Sequence, residues 1–150
     1  MKVVAYSIKP FEKEFLSRAN QKKHDITLIS NPLSIDTVVF ATGKDAVVVF
    51  STDEVTAQII EYLANAGVKF IATRSVSTNH IDVPATGKFG IKVANVPVHL
   101  SGDVAEQTAE ALQAIADQTI INLDMWQQNK CVGDACACAK RCRTSVSGKH

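Results

Sequence analysis

An α/β fold, built on a parallel sheet with helices on both faces, is predicted by three features of this 150-residue sequence. Short β-branched runs recur through its first two thirds, and most are followed by a stretch with helical spacing. One run, Ala46-Val47-Val48-Val49-Phe50, is apolar throughout, as in a strand covered on both sides. Parallel neighbours need crossover connections, and the intervening helices supply them.

Residues 2–7 read as the first strand, and residues 10–22 as a helix with Pro10 in its first turn, where a missing N–H does no harm. A second strand is expected at 25–30, then a short helix over 33–41 after the Asn31-Pro32 break, then the apolar strand at 46–50. Ser51-Thr52-Asp53-Glu54 offers capping chemistry for a helix over 55–66 that places Val55, Ile59, Ile60, Leu63 and Ala66 on one side, with Gly67 closing it. Strands at 70–75 and 91–96 follow. From Asp103 the pattern is helical to about residue 129, as one helix or two, with Leu112, Ile115, Ile120, Leu123 and Trp126 in a buried stripe. Five strands alternating with helices, followed by a long C-terminal helical region, give a flavodoxin-like architecture.

A composition of 46% hydrophobic and 21% charged residues, with net charge +1, fits one domain with a real core and excludes disorder and a basic nucleic-acid surface. No apolar run approaches the ~20 residues that span a bilayer, so a cytoplasmic location and no membrane partner are expected. Charge is uneven. Lys130, Lys140, Arg141, Arg143 and Lys149 stand against Asp134, a net +4 for residues 130–150 that leaves −3 for the rest. The expected organisation is therefore a body at 1–129 and a basic, cysteine-bearing tail at 130–150.

In an open parallel sheet, ligands dock beyond the carboxyl ends of the strands, where loop N–H groups and helix N-termini gather. Two segments qualify. Arg74-Ser75-Val76-Ser77-Thr78-Asn79-His80 leaves the fourth strand with successive N–H groups and hydroxyls suited to a carboxylate or phosphate. Residues 96–103 leave the fifth strand and add His99. The same Ser and Thr also suit helix capping, and His80 and His99 act as a general base only beside a carboxylate.

The segments MKVVAYSIKPFEKEFL, HDITLISNPLS, GKDAVVVF, GVKFIATRSVSTNHID and GIKVANVPVHLSGDVAEQT resemble the amino-terminal part of the substrate-binding domain of D-isomer-specific 2-hydroxyacid dehydrogenases, the D-lactate dehydrogenases above all. The likeness covers about residues 1–109. It implies a flavodoxin-like substrate domain and a carboxylate-binding loop at Ser75, Val76 and Ser77; His99, on the second loop, could face that loop across one cleft and join the substrate site. It also implies a partnership with a Rossmann domain that binds NAD.

No spacing among Gly43, Gly67, Gly87, Gly90, Gly102, Gly133 and Gly148 makes the G-x-G-x-x-G turn that NAD binding requires, so no NAD is expected on this chain alone. The family's catalytic arginine, its acidic partner and its histidine lie in parts the resemblance does not reach. These residues are therefore expected not to reduce a 2-oxo acid by themselves. The loops also depart from the family: Ser77 stands for a glycine, His99 for a tyrosine, Ser101 for a proline and Gln107 for a histidine.

Cys131, Cys136, Cys138 and Cys142 have C-x4-C-x-C-x3-C spacing, with small residues between them and basic residues around them. Four thiolates so placed could hold zinc or an iron–sulfur cluster, with copper(I), thiol–disulfide chemistry or idle thiols as alternatives. The expected function is a substrate-domain-like binding or redox accessory protein with a metal site on its tail. The rival is the substrate-binding part of a D-2-hydroxyacid dehydrogenase completed by a separate NAD-binding chain. A sheet face without the family's returning segment must be covered by the 103–129 region or by a second copy, which points to a homodimer.

Overall fold

Five strands form one all-parallel sheet in the order β2-β1-β3-β4-β5: β1 (Lys2–Ala5), β2 (Asp25–Leu28), β3 (Ala46–Val49), β4 (Phe70–Thr73) and β5 (Lys92–Ala94). This is the expected flavodoxin-like arrangement. The computed structural model describes residues 1–97 and 108–138.

Alternation along the strands sorts the core into two layers. Val4, Val47, Val49, Ile71 and Val93 face one side, packed against a 3-10 segment at Val38–Ala41, α2 (Ala57–Asn65) and α3 (Val83–Lys88). Val3, Ala5, Ala46, Val48, Ala72 and Ala94 face the other, packed against α1 (Glu12–Asn20) and α4 (Ala109–Gln127). Both faces are buried, which is why β3 is apolar at all four positions.

Helix α4 lies against α1 and β4, burying Ala116, Ile120, Leu123 and Trp126. Trp126 stacks on Phe70 with ring centroids 4.8 Å apart, and Asn122 Nδ2 donates to Asn95 O at 3.1 Å. Asp124 ties the same helix to the end of α1, meeting Lys23 Nζ at 2.9 Å and the buried His24 Nε2 at 2.7 Å. Within the expected 103–129 region, α4 thus covers the sheet from within the chain; residues 103–107 lie outside the described residues.

Local expectations fail at three places. Ser51–Glu54 does not cap α2; Thr56 does, its side chain accepting from Ile59 N–H at 3.3 Å, because Asp53 is turned inward. Residues 33–41 form only the 3-10 segment, since the Thr37 hydroxyl accepts from Ser34 N–H at 2.9 Å and donates to Pro32 O at 2.6 Å, bonds that compete with a helix. Helix α3 was not expected; Asp82 caps it and Pro84 sits in its first turn.

Candidate functional site

Three strand-to-helix turns, after β1, β3 and β4, converge at the carboxyl edge of the sheet, and Arg74 joins them. Its side chain is 1% exposed. Nε donates to Glu12 Oε2 at 3.0 Å, Nη2 to Glu12 Oε1 at 3.3 Å and Ser7 O at 3.1 Å, and Nη1 to Tyr6 O at 3.1 Å. The guanidinium also lies 5.3 Å from the Phe50 ring centroid. Its charge is therefore answered within the protein, and the group serves as a clamp holding the three turns in register.

Asp53 does the same work from below. At 1% exposure, it accepts from Ser7 Oγ at 2.6 Å, Leu33 N–H at 3.1 Å and Phe50 N–H at 2.9 Å. Ser7 itself adopts a left-handed φ of 56°, rare for a side-chain-bearing residue, where its carbonyl meets Arg74 and its hydroxyl meets Asp53. Sequence reasoning assigned no site role to Arg74, Glu12 or Asp53. A charged residue directly after the buried run of β4 was the available signal.

Above this clamp lies a cavity of about 300 Å³. Its polar lining comes from the turns: Lys9, Glu12, Ser51, Arg74, Ser75 and Ser77. Its apolar lining includes Phe11, Phe15, Phe50, Val76, Leu112 and Ile115. The expected loop residues Ser75, Val76 and Ser77 are thus brought together at one cavity, whereas His99 lies outside the described residues. Ser75 Oγ donates to Ser77 O at 2.9 Å, and Asn95 Nδ2 holds Val76 O at 2.9 Å. Among the described residues, the N–H groups of Val76 and Ser77 meet no acceptor. Ser77 is not among the residues with positive φ, so its turn makes no demand for glycine.

His80 is part of the structural support. Its Nε2 lies 3.2 Å from Thr73 Oγ1, which in turn meets Ser75 Oγ at 2.7 Å. Burial lowers its pKa below the ordinary 6.5, an effect only partly opposed by the Asp53 carboxylate. The imidazole is therefore neutral at pH 7.

The described cysteines, Cys131, Cys136 and Cys138, lend the expected metal site no support. Among the described residues, no three His, Cys, Asp or Glu side chains converge as a metal would require. Instead the chain after α4 runs antiparallel along the outer edge of β5. Asn95 N–H donates to Ala135 O and Ala137 N–H to Val93 O, both at 2.9 Å. Val93 N–H meets Cys138 Sγ at 3.3 Å. These edge bonds extend the segment, burying Cys136 and leaving Cys131 half-buried, rather than wrapping the thiols around one centre. Cys142 lies outside the described residues.

The turns after β1, β3 and β4 also lack the glycines of a dinucleotide-binding turn. Phosphate-binding glycines open a helix after a strand, whereas the left-handed Gly43, Gly67 and Gly90 follow helical segments and the left-handed Gly133 opens a three-residue 3-10 turn that comes after α4, not after a strand. Among the described residues, the turns after β1, β3 and β4 contain no glycine.

Residues 3–136 match the family described as D-isomer specific 2-hydroxyacid dehydrogenase, catalytic domain. An aromatic 2-oxoacid reductase of Clostridium sporogenes is 32% identical over 109 residues, 72% of this chain and 33% of that protein. D-lactate dehydrogenase kk1H of Curvularia clavata is 36% identical over 124 residues, 79% of this chain and 36% of that one. The apo-structure of Escherichia coli D-lactate dehydrogenase superposes with a TM-score of 0.63 at 32% identity, covering 65% of this chain and 31% of that enzyme. The chain thus spans about a third of the length of the relatives it matches. With the fold and these similarities in agreement, the chain belongs to the D-isomer specific 2-hydroxyacid dehydrogenase family and corresponds to its catalytic-domain segment.

Proposed function

We propose that these residues form a binding lobe that holds the carboxylate of a 2-oxo or 2-hydroxy acid at the turn after β4 and does not transfer hydride by itself. The observation that carries this reading is that Val76 and Ser77 are residues of the cavity lining whose N–H groups meet no acceptor among the described residues. Lys9 adds a cation at the same cavity; among the described residues, no carboxylate pairs with its ammonium. Unmet amides and a cation suit an anion, and the Arg74–Glu12 clamp keeps the turn from moving to meet one.

Titration of ¹⁵N-labelled protein with D-lactate or pyruvate is expected to shift the amide resonances of residues 75–77. Saturating ligand without such shifts would refute the site. NADH oxidation with pyruvate is expected to be absent for the purified chain, because neither the glycine pattern nor the strand-to-helix turns suit the dinucleotide.

The match to a catalytic domain favours a second reading, in which a separate NAD-binding chain completes a D-2-hydroxyacid dehydrogenase. Turnover that appears only on mixing the two chains would establish it. A redox or metal role for the tail has less support, since Cys136 and Cys138 are engaged at the sheet edge. Stoichiometric zinc or iron in anaerobically purified protein would restore that role. With α4 covering one sheet face, the homodimer we propose uses the exposed Ile35, Val39, Phe40 and Tyr62; light scattering should report twice the chain's 16.2 kDa.

A further inference from the structure

Two consecutive peptide units in the turn after β4 share one arrangement: the carbonyl is held and the N–H is not. Ser75 O accepts from Val96 N–H at 3.0 Å, and Val76 O accepts from Asn95 Nδ2 at 2.9 Å. The opposite ends of the same two units are the N–H groups of Val76 and Ser77, which meet no acceptor among the described residues. Among the described residues every peptide bond is trans, so the C=O and N–H of one unit point in opposite directions. A grip on the carbonyl therefore sets the aim of the N–H that follows it.

We infer that Asn95 is the positioning residue of the anion site, an inference that rests on the carboxylate reading proposed above. Its side chain sits behind the Val76–Ser77 unit, turns the Ser77 N–H away from itself and, by polarising the carbonyl, makes that N–H a stronger donor. The end of the amide that faces Val76 O is its nitrogen, since a carbonyl can only accept. The other end, Oδ1, is buried and meets no partner among the described residues. An unmet buried acceptor is costly, and an apolar side chain of similar size would avoid it while giving up only the hold on Val76 O.

Asn95 is itself held from two directions. Its N–H donates to Ala135 O at 2.9 Å, in the strip along the β5 border, and its carbonyl accepts from Asn122 Nδ2 of α4 at 3.1 Å. Asn122 is buried, and its Oδ1 accepts from Gln118 Nε2 at 2.8 Å. These bonds use the main chain of Asn95, so truncating its side chain spares them.

Amide ¹⁵N relaxation and a D-lactate titration on the 150-residue chain test the inference. In the unaltered protein without ligand, the Ser77 amide is expected to be as ordered as the sheet, with an order parameter of about 0.85. Asn95→Ala is expected to loosen the Ser77 amide, leave those of Ile71 and Val93 as they were, and weaken D-lactate about fivefold, the effect of one lost hydrogen bond. Asn95→Asp keeps the size but sets a carboxylate oxygen against Val76 O; it should weaken D-lactate at least as much, and it replaces the alanine variant if circular dichroism shows that variant unfolded. A mobile Ser77 amide in the unaltered protein would overturn the inference and leave the carboxylate site standing. So would an altered protein with a lower urea midpoint but undiminished D-lactate affinity, the mark of a purely structural tie, or one with weaker affinity and a Ser77 amide still ordered. No D-lactate binding by the unaltered chain would overturn the carboxylate site and this inference together.

Discussion

Arg74 sits where a strand hands over to a loop, and its environment decides what it can do. Its guanidinium is buried, paired with Glu12 and bonded to two carbonyls, so removing it leaves a largely buried carboxylate without a partner. Arg74→Met should lower stability by about 3 kcal/mol in urea unfolding, whereas Arg74→Met with Glu12→Leu should recover most of that loss. His80 gives a second test. Its folded pKa is lowered by burial, so the unfolded chain takes up the proton first as pH falls. Its contribution is complete above the ordinary value near 6.5 and is lost as pH drops toward the lowered one. Urea midpoints compared at about pH 7.5 and about pH 5 should therefore converge in His80→Gln relative to the unaltered protein. The candidate loop was legible in sequence as hydroxyls and amides after an apolar strand. The clamp was not, because a link between residues 62 positions apart leaves no local pattern.

Among the elements, α4 carries the most consequence. It supplies Ala116, Ile120, Leu123 and Trp126 to the second core layer, beside Leu16 of α1 and Ala135. Trp126→Ala should cost about 3–5 kcal/mol, read from the denaturation midpoint, because the cavity it leaves opens against Phe70. Thr108 begins the helix, its hydroxyl accepting from Ala111 N–H at 3.0 Å, and Thr108→Ala should cost about 1 kcal/mol. The strands and α2 were readable because burial on both faces writes apolar runs into the sequence, and the α4 stripe was readable from its spacing. Helix α3 was missed because it has only six residues, too few for a period to show. The placement of the described cysteines was not legible for a related reason: spacing records which thiols could meet, whereas backbone hydrogen bonds to a neighbouring strand set where Cys136 and Cys138 lie.

At the scale of the whole molecule, the order β2-β1-β3-β4-β5 brings the turns after β1, β3 and β4 side by side, which is how distant segments come to share one cavity. Sequence resemblance identified that edge, but only tertiary packing shows α4 forming part of its wall. Such a sheet ordinarily ends in two raw borders of unpaired backbone groups, each able to recruit a strand from another molecule. Here the strip at residues 135–138 occupies the β5 border. Among the described residues no strand pairs with the β2 border, and its Asp25 and Thr27 are exposed. Shortening the chain before residue 135 would therefore unmask a second sticky margin, and the expected penalty is fibrillar self-association at high concentration rather than simple unfolding.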